Sequence, residues 1–194
     1  MNTKRKIYVM LSRFPDNGSK AIEAMTGFYY THASIGLEED MNTFYSFVVK
    51  GFIVEKITRY VRPDRTPLPC QLYEMEVPDW VYRRMKRVLE TYVQNSGSLR
   101  YSRLGVALCL FGIPYKRRFS YFCSQFVADV LSESRAVDLK KSSALYLPGD
   151  IRKLPGMSLQ YQGDMQGMLQ RYGIVAATCN KKKSRWSMTN GFCL

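Results

Sequence analysis

The pattern of apolar and polar positions changes period along the chain. Ile7 to Phe14 reads as a first strand that leaves through Pro15-Asp16-Asn17-Gly18, a run of turn formers. Ser19 to Thr26 takes helical spacing, with Ala21, Ile22, Ala24 and Met25 on one side. From Tyr29 to Leu37 the alternation predicts a strand with Ala33, Ile35 and Leu37 on one face and His32, Ser34 and Gly36 on the other. Glu38-Glu39-Asp40 interrupts it and Thr43 to Val49 resumes a β-rich run, which together predict a hairpin. Gly51 to Val61 is again rich in β-branched and aromatic residues, Arg62 to Pro69 is a proline-rich loop, and Gln71 to Val77 predicts another strand.

The second half is more helical. Pro78-Asp79-Trp80 opens a helix running to Gln94, with Val81, Met85, Val88, Leu89, Tyr92 and Val93 on one side and Arg83, Arg84, Lys86, Arg87 and Glu90 on the other. Asn95 to Ser98 stops it. Leu104 to Phe111 reads as a buried helix ended by Gly112-Ile113-Pro114, and Tyr121 to Ser134 as a further helix with Phe126, Val127, Val130 and Leu131 on its apolar face. Beyond Pro148-Gly149-Asp150 the chain reads as irregular, apart from a strand-like run at Gly173 to Thr178. These elements predict an α+β domain over residues 1–178, followed by a basic tail over 179–194.

Composition then narrows the chemistry. With 194 residues, 46% of them hydrophobic, the chain has material for one substantial core, which excludes disorder as its default state. Its five cysteines lie at 70, 109, 123, 179 and 193, without the close pairs of a disulfide framework or a zinc site, and read as intracellular thiols. The apolar stretch Ile7 to Leu11 is too short for a secretory signal, and Leu104 to Pro114 is well under the roughly 20 residues that cross a bilayer, so a cytoplasmic chain without a transmembrane segment is expected. Lys and Arg outnumber Asp and Glu by 29 to 16, a net charge of +13 that favours acidic partners. The basic clusters Arg83–Arg87, Lys116–Arg118 and Lys181–Arg185 are scattered over helix, loop and tail, and no nucleic-acid motif accompanies them.

A single histidine, His32, is the sharper constraint. It excludes a multi-histidine metal site and leaves one natural proton carrier at neutral pH. No cofactor is implied. Cys123 begins a helix, where unsatisfied N–H groups and the helix dipole favour a thiolate, and helical spacing turns it inward beside Phe126 and Val127. A thiol facing an imidazole is the usual route to an activated sulfur nucleophile. For the group that orients the imidazole two candidates stand. A hairpin centred on Glu39 sets Ser46 opposite His32, a shift of the turn by one sets Tyr45 or Phe47 there, and Glu55 is available from the next strand.

At these residues the chain resembles a family. Phe122-Cys123-Ser124-Gln125-Phe126-Val127 is similar to the Cys-Ser-x-Phe-Val signature of the NlpC-type papain-like cysteine hydrolases, and Gly112-Ile113-Pro114-Tyr115 to the Gly-x-Pro-Tyr element before it. Thr31-His32-Ala33-Ser34-Ile35-Gly36 precedes the cysteine by about ninety residues, the inverted order of the circularly permuted branch of YiiX-like proteins and lecithin:retinol acyltransferase relatives. Tyr45-Ser46-Phe47 and Leu147-Pro148-Gly149-Asp150-Ile151 extend the resemblance over about residues 5 to 165. It implies a permuted papain-like fold, an antiparallel sheet packed against the cysteine helix. It also implies Cys123 as nucleophile, His32 as base and acid, and cleavage or transfer at the carbonyl of a peptide, amide or acyl ester through a thioester. The backbone N–H of Cys123 would hold the oxyanion. Relatives carry a histidine or carboxylate as third residue; this chain offers Ser46 there, which departs from the pattern.

Two other classes stand beside the enzyme. A helix-borne cysteine is more often an inert core residue, and a papain-like fold without activity would serve as a binding module. The charge alone is also consistent with a protein that binds nucleic acid or an anionic surface. Cys109 reads as core, while Cys70, Cys179 and Cys193 have no base nearby in sequence.

Overall fold

The computed structural model describes residues 3–61 and 66–174. In chain order its elements are β1 (Lys4–Ser12), α1 (Asn17–Thr26), β2 (His32–Leu37), β3 (Thr43–Val48), β4 (Gly51–Lys56), β5 (Pro69–Pro78), α2 (Asp79–Gln94), β6 (Arg100–Tyr101), α3 (Arg103–Leu110), β7 (Ser120–Tyr121), α4 (Cys123–Glu133), a one-turn α5 (Pro148–Ile151), β8 (Ser158–Asp164) and α6 (Met165–Arg171). The result is a mixed α+β fold. Six strands form one antiparallel sheet in the order β4-β3-β2-β1-β5-β8, and β6 pairs with β7 in a short parallel ribbon. No helix among the described residues is long and apolar enough to cross a membrane.

β1 is central because both of its faces are apolar. Ile7, Val9 and Leu11 join a core that includes Ala33, Ile35 and Leu37 of β2, the inner side of α2 and Phe126, Val127 and Val130 of α4. Tyr8 and Met10 join a second core on the other side of the sheet, with Phe44, Cys70, Leu72 and Met165, Met168 and Leu169 of α6. Burial on both faces removes the need for alternation and explains the run of apolar residues in this strand. α2 follows its sequence pattern: Val81, Tyr82, Met85, Leu89 and Tyr92 are buried, while Arg83 pairs with Asp79 and Lys86 with Glu39 at the surface. Such exposed pairs contribute little to stability. α4 is buried from Cys123 through Leu131, with the Phe126 ring 4.9 Å from Tyr92 and 5.3 Å from Phe47.

The fold departs from the sequence reading at three places. β3 pairs with β2 through Ile35↔Tyr45 and Gly36↔Phe44, so the hairpin is centred on Asp40, one residue later than expected. Asp40 itself sets that register: its carboxylate accepts from the Asn42 N–H at 2.9 Å and from the Thr43 hydroxyl, a side-chain turn that captures the following residues. Gly36 allows the Phe44 ring to lie against β2, since a Cβ there would come within 2.8 Å of it. The chain beyond Asp150 is not irregular. β8 joins the sheet edge beside β5, but its side chains are mostly exposed, so it carries no apolar period; Met165, Met168 and Leu169 bury α6 from three positions, with Asp164 as N-cap. The strand-like run Gly173 to Thr178 lies outside the described residues from 175 onward, as does the tail over 179–194.

The third departure is α3. It is a helix, as its spacing predicts, but it is not buried: only Gly105 and Cys109 turn inward, while Leu104 is 55% exposed and Phe111, just past its end, 72%. The two phenylalanines give a direct test of this packing. Phe126→Ala is expected to cost about 3–5 kcal/mol in urea unfolding, and Phe111→Ala within about 0.5 kcal/mol of nothing. Equal effects would contradict the inside and outside assigned to these helices.

Candidate active site

Cys123 and His32 meet where their elements begin. Cys123 is the first residue of α4 and His32 the first of β2, and the β2–β3 ladder has not yet formed there, its pairs starting at Ile35. The gap frees the peptide of Ala33. Its N–H is directed at the Cys123 sulfur, together with that of Ser124, and its carbonyl accepts the Ser46 hydroxyl at 2.6 Å. The helix start helps as well. Phe122 offers no side-chain cap and no acidic residue lies in the first turn, so the unsatisfied N–H groups of α4 face the sulfur without a competing anion.

His32 stands between a carboxylate and the thiol. Its Nε2 is 2.8 Å from Glu55 Oε1, and the ring lies close enough to the Cys123 sulfur for each group to shift the ionisation of the other. Glu55 is contributed by β4, and its side chain is fully buried. Phe14 packs edge-on against the imidazole with ring centroids 5.2 Å apart, and Tyr60 against Phe14 at 5.3 Å, so aromatic rings wall this side of the relay.

The electrostatics follow from this geometry. Burial of His32 disfavours its cationic form, but the Glu55 carboxylate and the hydrogen bonds to Cys123 and Glu55 outweigh it and raise the imidazole from 6.5 to about 10. Burial likewise opposes ionisation of Cys123, and the hydrogen bond and charge of His32, with the Ala33 and Ser124 N–H groups, overcome it and lower the thiol. The other two described cysteines show burial acting with no such partner. Cys109 is pushed up to about 11 and Cys70 to about 12, both first by burial. Each shift thus favours the charged form of its group, the Cys123 thiolate and the His32 imidazolium.

Of the sequence candidates, the structure brings Cys123, His32 and Glu55 together. Ser46 is corrected. It does not lie opposite His32, because the hairpin is centred one residue later, and its hydroxyl serves the Ala33 carbonyl instead. Ser46 is thus a positioning residue for the peptide whose N–H reaches the sulfur. Two participants were missed by the sequence reading. The Ala33 N–H is a backbone group that no residue type advertises. Tyr101 is one of 14 tyrosines, and its phenol is held protonated first by burial and then by the charge of nearby Cys123.

The larger of two described cavities, about 450 Å³, is lined by Leu37, Tyr45, Lys56, Lys86, Leu89 and Val93 among others and holds neither Cys123 nor His32. Among the described residues no cluster of three or more His, Cys, Asp or Glu side chains is placed to hold a metal ion. A scan against models of known protein families finds no match, and a search among curated proteins finds no significant relative.

A pH series tests the ion pair. Below the ordinary thiol value of 9.0 the unfolded thiol keeps its proton, and above it that thiol ionises, while the folded pair, with its thiol lowered and its imidazole raised, still holds the imidazole proton. The folded state then carries one proton more, so the pair's contribution to stability is lost as pH rises from 9.0 through about 10. The stability difference between wild type and Cys123→Ser/His32→Gln, read from urea unfolding, is expected to shrink over that range. A difference that stays flat across all pH values would mean that the pair is not ionised.

Proposed function

We propose that this protein is a cysteine-dependent acyl hydrolase or transferase, with a circularly permuted papain-like core of the NlpC type, acting on an amide, peptide or acyl-ester carbonyl. One observation carries the reading: a buried thiol lowered by an imidazole whose far nitrogen is fixed by Glu55 at 2.8 Å. The Cys-Ser-x-Phe-Val and Thr-His-Ala-Ser-Ile contexts support it, as does a sheet whose β2 and β3 pack against the cysteine helix. An inert structural cysteine would need neither the base nor the carboxylate behind it.

In this reading the Cys123 thiolate attacks the substrate carbonyl carbon and the carbonyl electron pair moves to oxygen. The backbone N–H of Cys123, at the uncapped start of α4, is a donor for that oxyanion. Collapse of the intermediate expels the amine or alcohol, which takes the proton from His32, and leaves a thioester on Cys123. Neutral His32 then removes a proton from water, or from an acceptor alcohol or amine, as it attacks the thioester, and the thiolate leaves as the imidazolium is restored. Glu55 keeps the imidazole in orientation and stabilises its charge without taking the proton, and Phe14 and Tyr60 exclude water from this side.

Mass spectrometry after incubation with p-nitrophenyl acetate tests this directly. The expected result is an acetyl adduct on Cys123 that is absent in Cys123→Ala. Glu55→Gln is expected to lower the acylation rate roughly 10²-fold or more, as loss of an acid–base partner does. Ser46→Ala is expected to lower the rate less than Glu55→Gln and to cost about 1 kcal/mol of stability for the lost hydrogen bond. An adduct on another cysteine, or a Glu55→Gln variant as fast as wild type, would overturn the assignment.

A further inference from the structure

α3 is amphipathic in reverse. Its inward residues are the small Gly105 and Cys109, while Leu104, Ala107, Leu108 and Phe111 follow one another at i, i+3, i+4 and i+7 on the outward side. Ala107 is exposed and Leu108 half-buried, and the turn through Gly112, at φ 72°, delivers Ile113 to solvent at 50% exposure. A core helix of this composition would turn its leucines and phenylalanine inward; this one leaves Leu104 and Phe111 in water and Leu108 and Leu110 only half-buried, which marks an interaction surface.

The charge beside this face is of one sign. Residues 103–119 contain Arg103, Lys116, Arg117 and Arg118 and no acidic residue. Lys116 is paired with Asp129 at 2.9 Å, whereas Arg103, Arg117 and Arg118 form no ion pair among the described residues. Arg117 and Arg118 line a cavity of about 270 Å³ with Arg100, Tyr101, Phe119 and Ser120. Phe119 is held at a positive φ of 59°, unusual for a residue with a side chain, and Arg118 sits 4.7 Å over its exposed ring.

We propose that α3 and the segment through Phe119 form a docking surface for a bilayer that carries anionic lipid. The Leu104–Phe111 stripe and Ile113 enter the boundary between headgroups and acyl chains, and Arg103, Arg117 and Arg118 bind lipid phosphates, with the arginine-lined cavity receiving one headgroup. A lipid interface satisfies apolar and cationic groups side by side. The centre of a protein interface is depleted of charge, and unpaired arginines crowded against it would be desolvated at a cost. The surface runs directly into β7 and Cys123, so docking would bring the site close to the membrane. The inference does not depend on the thiol chemistry.

Sedimentation of the full chain with vesicles tests it. Binding is expected to vesicles of phosphatidylcholine mixed with phosphatidylserine and to be much weaker to phosphatidylcholine alone. Leu104→Ser/Phe111→Ser/Ile113→Ser and Arg117→Glu/Arg118→Glu are each expected to weaken binding roughly tenfold or more, while Cys123→Ala binds as wild type. All the replaced side chains are exposed, and an unchanged circular dichroism spectrum verifies the fold of both variants. No binding to the mixed vesicles, or binding that the apolar triple variant leaves unchanged, would overturn the proposal. So would a solution dimer dissolved by that variant with no vesicle binding, which would assign the face to a second copy of the chain.

Discussion

The site is governed by the burial of Glu55. A carboxylate placed inside a sheet, out of contact with water, is unfavourable by several kcal/mol unless a cation and hydrogen bonds compensate it. Here the compensating group is His32, and the imidazole is the only one in the chain. An imidazole that must serve a buried carboxylate holds its proton, and a sulfur on its other side then loses its own more easily. One placement thus favours the charged forms of both His32 and Cys123. Among the described residues Glu55 Oε2 has no hydrogen-bond partner, so the carboxylate's compensation there rests mainly on its Oε1 contact with the imidazole.

The fold makes room for this relay by leaving a ladder incomplete. Had β2 and β3 paired along their full length, the Ala33 peptide would be engaged within the sheet and the start of α4 would have no donor to meet. Because pairing begins only at Ile35, Ala33 turns its N–H to the sulfur and Ser46 satisfies its carbonyl. The aromatic cluster of Phe47, Phe52, Tyr92 and Phe126 anchors the body of α4 beyond this opening, which fixes the position of its first turn against the strand end. The apolar packing is concentrated in the body of the helix, away from Cys123 at its tip.

Legibility in the sequence followed physical cause. Strands with one apolar face and helices with one buried stripe were readable because burial imposes their period, as in the second half of β5 and in α2. β8 was not, since an edge strand held by backbone hydrogen bonds with exposed side chains leaves no periodic trace. Cys123 and His32 stood out by rarity and context. The third residue could not be decided, because it depended on a hairpin register that a single Asp40 turn shifts by one residue, and because the strand bearing Glu55 is related to His32 by sheet topology rather than by spacing. α3 was misjudged for a different reason: apolar composition signals helix and core alike, and only the packing reveals which face is outward.

The central claim is that His32 and Glu55 hold Cys123 as a thiolate despite its burial. The pH dependence of its alkylation by iodoacetamide, followed residue by residue by mass spectrometry, measures this most directly. The account predicts a midpoint for Cys123 well below the free-thiol value of roughly 8.5, a rise of that midpoint in His32→Ala, and Cys109 reacting only at far higher pH, near about 11. A Cys123 midpoint at or above the free-thiol value, unmoved by His32→Ala, would contradict it.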